Sequence, residues 1–193
     1  AKRPLFSPAI LTINDLFARL AKRQTADRIS QLFLLYSHYI RLSGTDESFD
    51  DFLYWGELLL NDFDDIDKYM VDARQLFRNL SDLKEIEREF DYLSEEQIAA
   101  IRTFWSHFNK QVDAPNHRHF LALWQILFDP YTDFRAALAA EGKAYEGQLF
   151  REVAEQEEAF ELPYEQIVFV GLNALSVAEE RFLDRLKQQG IAD

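Results

Sequence analysis

Cysteine is absent from this chain of 193 residues. Without cysteine the chain can form no disulfide, carries no thiolate nucleophile and offers no cysteine-ligated metal site. The sequence also contains no apolar run of the ~18 residues that a membrane-spanning helix needs, and it does not open on a signal-peptide pattern. Together these absences predict a cytoplasmic protein that does not enter a membrane.

Glycine and proline are scarce, with six and five residues respectively. Because both residues mark turns, their scarcity favours long helices over a sheet rich in turns. Aromatic residues are abundant, including 17 Phe, and hydrophobic residues make up 48% of the chain beside 28% charged residues. This composition is typical of a globular protein with one substantial core, and it argues against disorder.

Basic residues are also fewer than acidic residues. The chain has 21 Lys and Arg against 34 Asp and Glu, which gives a formal net charge of −13. Domains that bind nucleic acid are usually basic, because neutralisation of phosphates supplies much of their affinity. We therefore expect the isolated chain to bind DNA weakly or not at all. The chain begins at Ala1 rather than at Met, and we interpret it as a fragment of a longer protein.

The stretch from Ser48 to Leu80 organises the sequence. Its first half carries apolar residues at helical spacing, and Ser48 is placed to cap that helix. The run NDFDDID predicts a break or tight joint before a second helical run, and its acids predict a solvated acidic face. A calcium-binding EF-hand loop is excluded, because counting from Asp62 puts Asp67 and Ala73 where that loop needs Gly and Glu.

Helical periodicity recurs along most of the remaining chain. Outside the central stretch, helices are predicted at residues 14–22, 25–42, 81–90, 95–109, 116–128, 130–141, 143–159 and 173–189. Only residues 9–13 and 167–170 resemble strands, and the second run is predicted to be buried and parallel because it is rich in β-branched residues. The sequence thus predicts a mainly α fold with one or two short strands near the termini. The predicted core includes Trp55, Leu59, Phe77, Phe104 and Trp124.

A basic cluster lies around the turn before the second helix, and its members are Arg19, Lys22, Arg23 and Arg28. Such a cluster can contact phosphate or the acidic groups of a partner, and a solvated surface is the alternative. The pair Gly142-Lys143 lacks the surrounding residues of a phosphate-binding loop. Asp133 with Glu141-Gly142-Lys143 matches the letters of a nuclease core, but on a helical stretch. We therefore assign no catalytic, cofactor-binding or metal-binding residue.

Two segments carry a family resemblance. WGELLLNDFDDIDKYMVDARQLFRNLSDL, which starts at Trp55, resembles the start of the inactivated superfamily I helicase region of bacterial AddB-type nuclease subunits. The resemblance is notably to the long Bacteroidetes proteins that end in a PD-(D/E)XK nuclease domain. IVFVGLNALSVAEERFLDRL, which starts at Ile167, is similar to the segment F-V-G-F-N-A-L-S-x-x-E of the same region. With a match at Thr12 and Ile13 near the start of the chain, the resemblance extends over nearly the whole chain, from that pair to this second segment.

The resemblance also implies roles for particular residues. Thr12 and Ile13 match the place where the motor touches single-stranded DNA, with a plain strand-to-helix turn as the alternative. Gly171 and Leu172 stand where active motors carry the Asp-Glu pair that holds Mg²⁺. An uncharged pair cannot hold the metal, so the resemblance implies a motor domain whose ATPase chemistry is lost or lies outside this fragment.

The implied organisation is a helical insertion, residues 25–159, between two motor-core-like segments, residues 1–24 and 160–193. The implied parent is a helicase-like subunit of an exonuclease that processes double-strand DNA breaks, with DNA and a helicase–nuclease subunit as partners. In it this region would be a non-catalytic scaffold and a wall of the DNA path. The alternative, from another class, is an acidic helical module that binds another protein. A small hydrolase is a third class, but no residues stand at the spacing it needs.

Overall fold

The computed structural model describes residues 8–44, 46–77 and 128–192. Over these ranges the chain is mainly helical, which confirms the predicted fold class. Phe104 and Trp124, which were predicted to lie in the core, fall outside the described residues. The same is true of the helices predicted at 81–90 and 95–109 and of nearly all of the helix predicted at 116–128.

The helices and strands of the described ranges follow one another in a simple order. They are α1 (Ile13–Leu20), β1 (Gln24–Thr25), α2 (Arg28–Ser43), α3 (Phe49–Lys68), α4 (Phe128–Ala140), β2 (Lys143–Ala144), α5 (Glu146–Glu155) and α6 (Val177–Gln188). Residues 73–77 are also helical. The strands β1 and β2 pair in parallel, with Gln24 opposite Lys143 and Thr25 opposite Ala144. None of the described helices is long and apolar enough to cross a membrane.

The predicted strand at residues 9–13 is wrong. Residues 8–12 are irregular, and helix α1 already begins at Ile13. The reason is a capping box at Thr12: its hydroxyl accepts a hydrogen bond from the Asp15 N–H at 3.1 Å, and the Asp15 carboxylate accepts one from the Thr12 N–H at 3.0 Å. This reciprocal pair satisfies free backbone groups of the first turn and fixes the start of the helix.

The predicted strand at residues 167–170 is reduced to a single bridge. Ile167 pairs in parallel with Ala192, and the next three residues are irregular. The helix predicted at 173–189 also starts later, at Val177, because Ser176 and Glu179 form a second capping box. The short strands therefore lie next to α2 and α5 rather than near the termini.

Helices α2 and α3 run in opposite directions. Tyr39 stacks on Phe52 near the connection, with ring centroids 4.9 Å apart, while Arg28 at the far end of α2 pairs with Glu57. Helix α2 ends at Gly44, which has a left-handed φ of 64°. As predicted, the Ser48 side chain caps α3. The close packing of these two helices brings the first large core together.

Helix α3 is continuous through the NDFDDID run, so the predicted break is wrong. The helix ends only after Lys68, where Met70 adopts a left-handed φ of 53°. The Met70 N–H donates to the Asp67 carbonyl at 3.0 Å, and the Val71 N–H donates to the Ile66 carbonyl at 2.9 Å. These two bonds close the helix in the manner of a Schellman motif, without the usual glycine.

A first core, here called the body core, joins α2, α3 and α4. Its buried side chains include Leu35, Phe52, Phe63, Phe77 and Phe134. As predicted, Phe77 lies in the core, and Leu59 is half-buried against it. Trp55 is also only half-buried and does not belong to this cluster, so the prediction that it lies in the core is wrong. The buried row of α3 runs through Phe52, Gly56, Leu60 and Phe63, and Trp55 lies to one side of it.

A second core, here called the terminal core, joins α1, α5 and α6. Phe17 lies at its centre and stacks on Phe150, with ring centroids 4.0 Å apart, and it contacts Phe182 at 4.6 Å. Phe160, which follows α5, packs edge-on against Phe182 at 5.0 Å. Helix α5 therefore contributes to the terminal core although it lies inside the predicted insertion of residues 25–159, and that division stays a prediction.

Candidate functional site

The basic residues singled out by the sequence are engaged with other groups of the chain. Arg19 donates to the Tyr164 hydroxyl at 2.6 Å, and Arg23 forms an ion pair with Glu152 on α5. Lys22 lies 3.8 Å from the Glu158 carboxylate, and both of these side chains are largely exposed. Lys22 therefore has the weakest intramolecular pairing of these three residues.

Arg28 lies apart from the other three, against the body. Its guanidinium donates to the Glu57 carboxylate, through Nε at 2.8 Å, and to the Asn61 side chain at 2.7 Å. Thr12, the other residue predicted to contact DNA, uses its hydroxyl and N–H in the α1 cap, and these hydrogen bonds hold the pKa of Asp15 below its usual range. The structure thus gives each of these residues an intramolecular partner.

Gly171 and Leu172 lie on the irregular segment before α6. Gly171 has a left-handed φ of 78°, and a side chain added there would meet nothing within 4 Å. Both residues are exposed. In the part of the chain that the structure describes, no group of three or more His, Asp or Glu residues is arranged to hold a metal ion.

The acidic run of α3 behaves differently from the solvated face that the sequence predicted. Asp65 is exposed and Asp62 and Asp64 are half-buried, but the Asp67 side chain is 0% exposed. A buried carboxylate is costly unless it is paired and hydrogen-bonded. Asp67 is therefore the residue at which this segment departs most from an ordinary acidic surface.

Asp67 lies at the centre of a buried polar cluster, here called the Asp67 cluster. Its Oδ1 accepts a hydrogen bond from the Tyr131 hydroxyl at 2.7 Å and faces Arg135 Nη1 at 3.0 Å and Arg151 Nη1 at 3.3 Å. Its Oδ2 accepts a hydrogen bond from the Tyr145 hydroxyl. The cluster joins α3 to α4 through Tyr131 and Arg135, and to α5 through Arg151 and the Tyr145 that precedes it.

Electrostatics keep the two tyrosines of the Asp67 cluster protonated near neutral pH. Burial raises the pKa of Tyr131 to about 12, and the Asp67 carboxylate adds to this shift. Burial also raises the pKa of Tyr145 well above its ordinary value, again with Asp67 contributing. A general acid or base works best when its pKa lies near the operating pH. The two tyrosines are far from that condition, and the arrangement suits the positioning of helices.

A second polar group lies one turn earlier on α3. The Asp64 carboxylate accepts a hydrogen bond from the Gly147 N–H at 2.5 Å, and so it caps the first turn of α5 from another helix. Lys68 bridges Asp64 at 2.7 Å and Glu146 at 2.5 Å, and the Asn14 side chain donates to Glu146 at 3.1 Å. Burial alone would lower the pKa of Lys68, but its hydrogen bonds to these two acids raise it.

Gly147 is required by this contact. A Cβ atom at Gly147 would lie 2.3 Å from the Asp64 carbonyl oxygen, a distance at which the backbones would have to separate. The end of α3 and the start of α5 therefore touch through backbone atoms. Helix α5 packs more extensively against α3 than against any other described element.

One signal in the sequence could have revealed Asp67. The buried residues of α3 recur at Phe52, Gly56, Leu60, Phe63 and Asp67, with spacings of three or four residues. This period places Asp67 on the same face as Phe63, and therefore in the core. No sequence pattern indicated that Tyr131, Arg135, Tyr145 and Arg151 would converge on it, because they come from elements far away in the chain.

Comparison of the chain with protein-family models, with curated proteins and with solved structures finds no match. The functional argument therefore rests on the residues and on the geometry described above.

Proposed function

We propose that this chain is a non-catalytic, helicase-like region of a subunit that processes double-strand DNA breaks, where it serves as a scaffold. The observation that supports the proposal is that acidic residues of the NDFDDID run join helices instead of forming a solvated surface. This run lies in the segment that resembles the helicase region, and its acids Asp64 and Asp67 hold helices together. A segment that organises three helices is suited to a structural role in a larger assembly.

The charges of the described residues support a scaffold over a catalyst. The carboxylate of Asp67 is fully surrounded by hydroxyl and guanidinium groups, so it is not available to activate a nucleophile. The basic residues Arg23 and Arg28 are paired with acids of α5 and α3. On this proposal the parent protein supplies the chemistry, and DNA and a helicase–nuclease subunit are its partners in the cytoplasm.

A role as one wall of the DNA path would involve Lys22 before the other basic residues. Its side chain is 78% exposed and its nearest acid, Glu158, is 3.8 Å away and equally open to solvent. Such a surface ion pair contributes little and can exchange for a phosphate. In the assembled subunit we expect Lys22→Glu to weaken DNA binding, while Lys187→Glu on α6 serves as a control with the same change of charge.

The proposal is tested in cells that express the parent protein. The coding sequence is replaced by versions that carry Asp67→Ala, Asp65→Asn or a deletion of this region, and survival is measured after treatment with an agent that breaks both DNA strands. We expect Asp67→Ala to resemble the deletion and Asp65→Asn, at an exposed position of the same helix, to resemble the wild type. If the deletion leaves survival unchanged, the proposed role in break processing is wrong.

A second candidate is the acidic helical module that binds another protein. It is favoured by an apolar surface on the body, where Ile29 and Phe33 lie one turn apart on α2 and are exposed. Phe33 stacks on Phe49 of α3 at 4.3 Å, and Leu53 lies one turn further along that helix. Phe33→Glu would abolish binding to a partner protein on this reading and would leave break repair unaffected.

A further inference from the structure

Within residues 167–170, Ile167 is paired along one edge, and the three residues that follow it form no ladder. The Ile167 N–H donates to the Ile191 carbonyl at 2.7 Å, within the parallel bridge to Ala192. Exposure then alternates with the period of a strand: Ile167 and Phe169 are half-buried, and Val168 and Val170 are exposed. In such a segment the backbone groups of Val168 and Val170 point away from the 191–192 edge. Within the described residues neither valine makes a backbone hydrogen bond to another segment.

The exposed side chains of this segment are apolar, which is unusual for an unpaired strand edge. Val168 is 68% exposed and Val170 is 87% exposed. Proteins generally protect exposed strand edges with charged residues, proline or a bulge, because unpaired edges join to other strands. No charged residue occurs between Ile167 and Val177. The edge therefore lacks the protection that a permanently solvated strand has.

We propose that residues 167–170 accept a β-strand supplied by a partner protein, not by a second copy of this chain. The N–H and C=O groups of Val168 and Val170, which bond to no other described segment, would bond to the backbone of the added strand. The β-branched side chains of the added strand would lie beside the two valines. A strand is the occupant that the geometry favours, because a helix has no free backbone groups to satisfy this edge.

Charge indicates what should flank the incoming strand. Glu165 is exposed two residues before the segment, and the whole chain carries a net charge of −13. Lys or Arg at the ends of the incoming strand would complement this negative charge and would suppress binding of acidic segments. The inference stands apart from the proposed function, because it depends only on the edge and holds whether or not the parent protein acts on DNA.

The test uses a ¹⁵N-labelled sample of the full chain and two synthetic peptides, KTVIVIVTK and KTVPVPVTK, each acetylated and amidated. The two peptides have equal charge, but proline removes two backbone donors and disfavours the extended strand. We expect the amide signals of Val168 and Val170 to shift saturably with the first peptide and not with the second. Equal shifts with both peptides, or none with either, would overturn the proposal.

A pair of variants controls for surface charge. Val170→Lys places a charge on the edge and should weaken binding by at least about tenfold. Asn173→Lys adds the same charge at an exposed position beyond the segment and should leave binding unchanged. Both variants should keep the circular dichroism and melting of the wild type, since neither replaced side chain is buried. If sedimentation shows that the chain alone forms a dimer that Val170→Lys disrupts, the edge pairs with a second copy and the proposal is wrong.

Discussion

At the scale of single residues, Asp67 explains why the acidic run of α3 is more than a charged surface. Runs of acidic residues are usually solvated, and composition alone supports that interpretation here. Asp67 is an exception because the helical period places it on the buried face of α3. There its carboxylate contacts two tyrosines and two arginines. The burial of Asp67 can therefore be predicted from the local sequence pattern, whereas the identity of its partners depends on the tertiary structure.

Replacement of Asp67 by Asn tests this residue directly. The variant keeps the volume of the side chain but leaves Arg135 and Arg151 facing a neutral group inside the protein. Removal of one partner from a buried ion pair costs about 3–5 kcal/mol. We expect urea unfolding to show a loss of this size. Asp65→Asn, at an exposed position two residues away, should change the free energy of unfolding by less than about 0.5 kcal/mol, and equal effects of the two variants would contradict the account.

Gly147 provides a second test at this scale, because its replacement by Ala has two effects of opposite sign on the free energy of unfolding. Replacement of Gly by Ala inside a helix stabilises by about 1 kcal/mol from helix propensity alone. At Gly147 the added Cβ would instead meet the Asp64 carbonyl oxygen at 2.3 Å. We expect Gly147→Ala to destabilise the protein by about 1–3 kcal/mol, the usual range for overpacking. A thermal melt that shows a stabilised variant would disprove the close contact.

At the scale of elements, the sequence predicted the parts that local chemistry controls. Ser48 begins α3 as predicted, and α2 ends at Gly44, close to the predicted end at residue 42. Both ends are set locally, because a hydroxyl N-cap and a left-handed C-cap act within a single turn. The predicted break in NDFDDID was wrong because contacts from α4 and α5 outweigh the weak local preferences of Asp and Asn. The predicted strand before α1 was wrong because the Thr12 cap starts the helix earlier than β-branched composition suggested.

Helix α3 should also be sensitive to pH through Asp62. Burial, with a contribution from Asp65, raises the pKa of Asp62 from 3.8 to about 6. Asp62 therefore loses its proton at a lower pH in the unfolded chain than in the folded chain. As a result, the folded state loses stability as the pH rises from about 4 to 6. Asp62→Asn removes this loss, and we expect it to be more stable than the wild type at pH 8 by about 1 kcal/mol, after allowance for partial exposure.

The measurement for Asp62 is urea unfolding of both proteins between pH 4 and pH 8. The gap between them should open as pH rises and should be absent at the acidic end. Asp184→Asn, at an exposed position of α6, is the control and should follow the wild type at every pH. A variant that is less stable than the wild type at pH 8 would show that ionised Asp62 is well accommodated.

At the scale of the whole molecule, the chain is expected to bind no nucleotide by itself. The sequence carries no glycine-rich phosphate loop, and the net charge of −13 creates a field that repels a polyanion. Calorimetric titration with Mg-ATP should therefore give no saturable heat. Micromolar binding that disappears on replacement of Gly171 or its neighbours would contradict both this expectation and the role implied for that position.

The central claim is that the acids at the end of α3 join the body core to the terminal core. Hydrogen exchange in increasing urea, followed by mass spectrometry, tests it most directly, because peptides from α2 report on the body core and peptides from α6 on the terminal core. We predict that the two helices lose protection together in the wild type, and that α6 opens at lower urea than α2 when Asp64 and Asp67 are both replaced by Asn. Separate transitions in the wild type, or a joint transition in the double variant, would contradict the account.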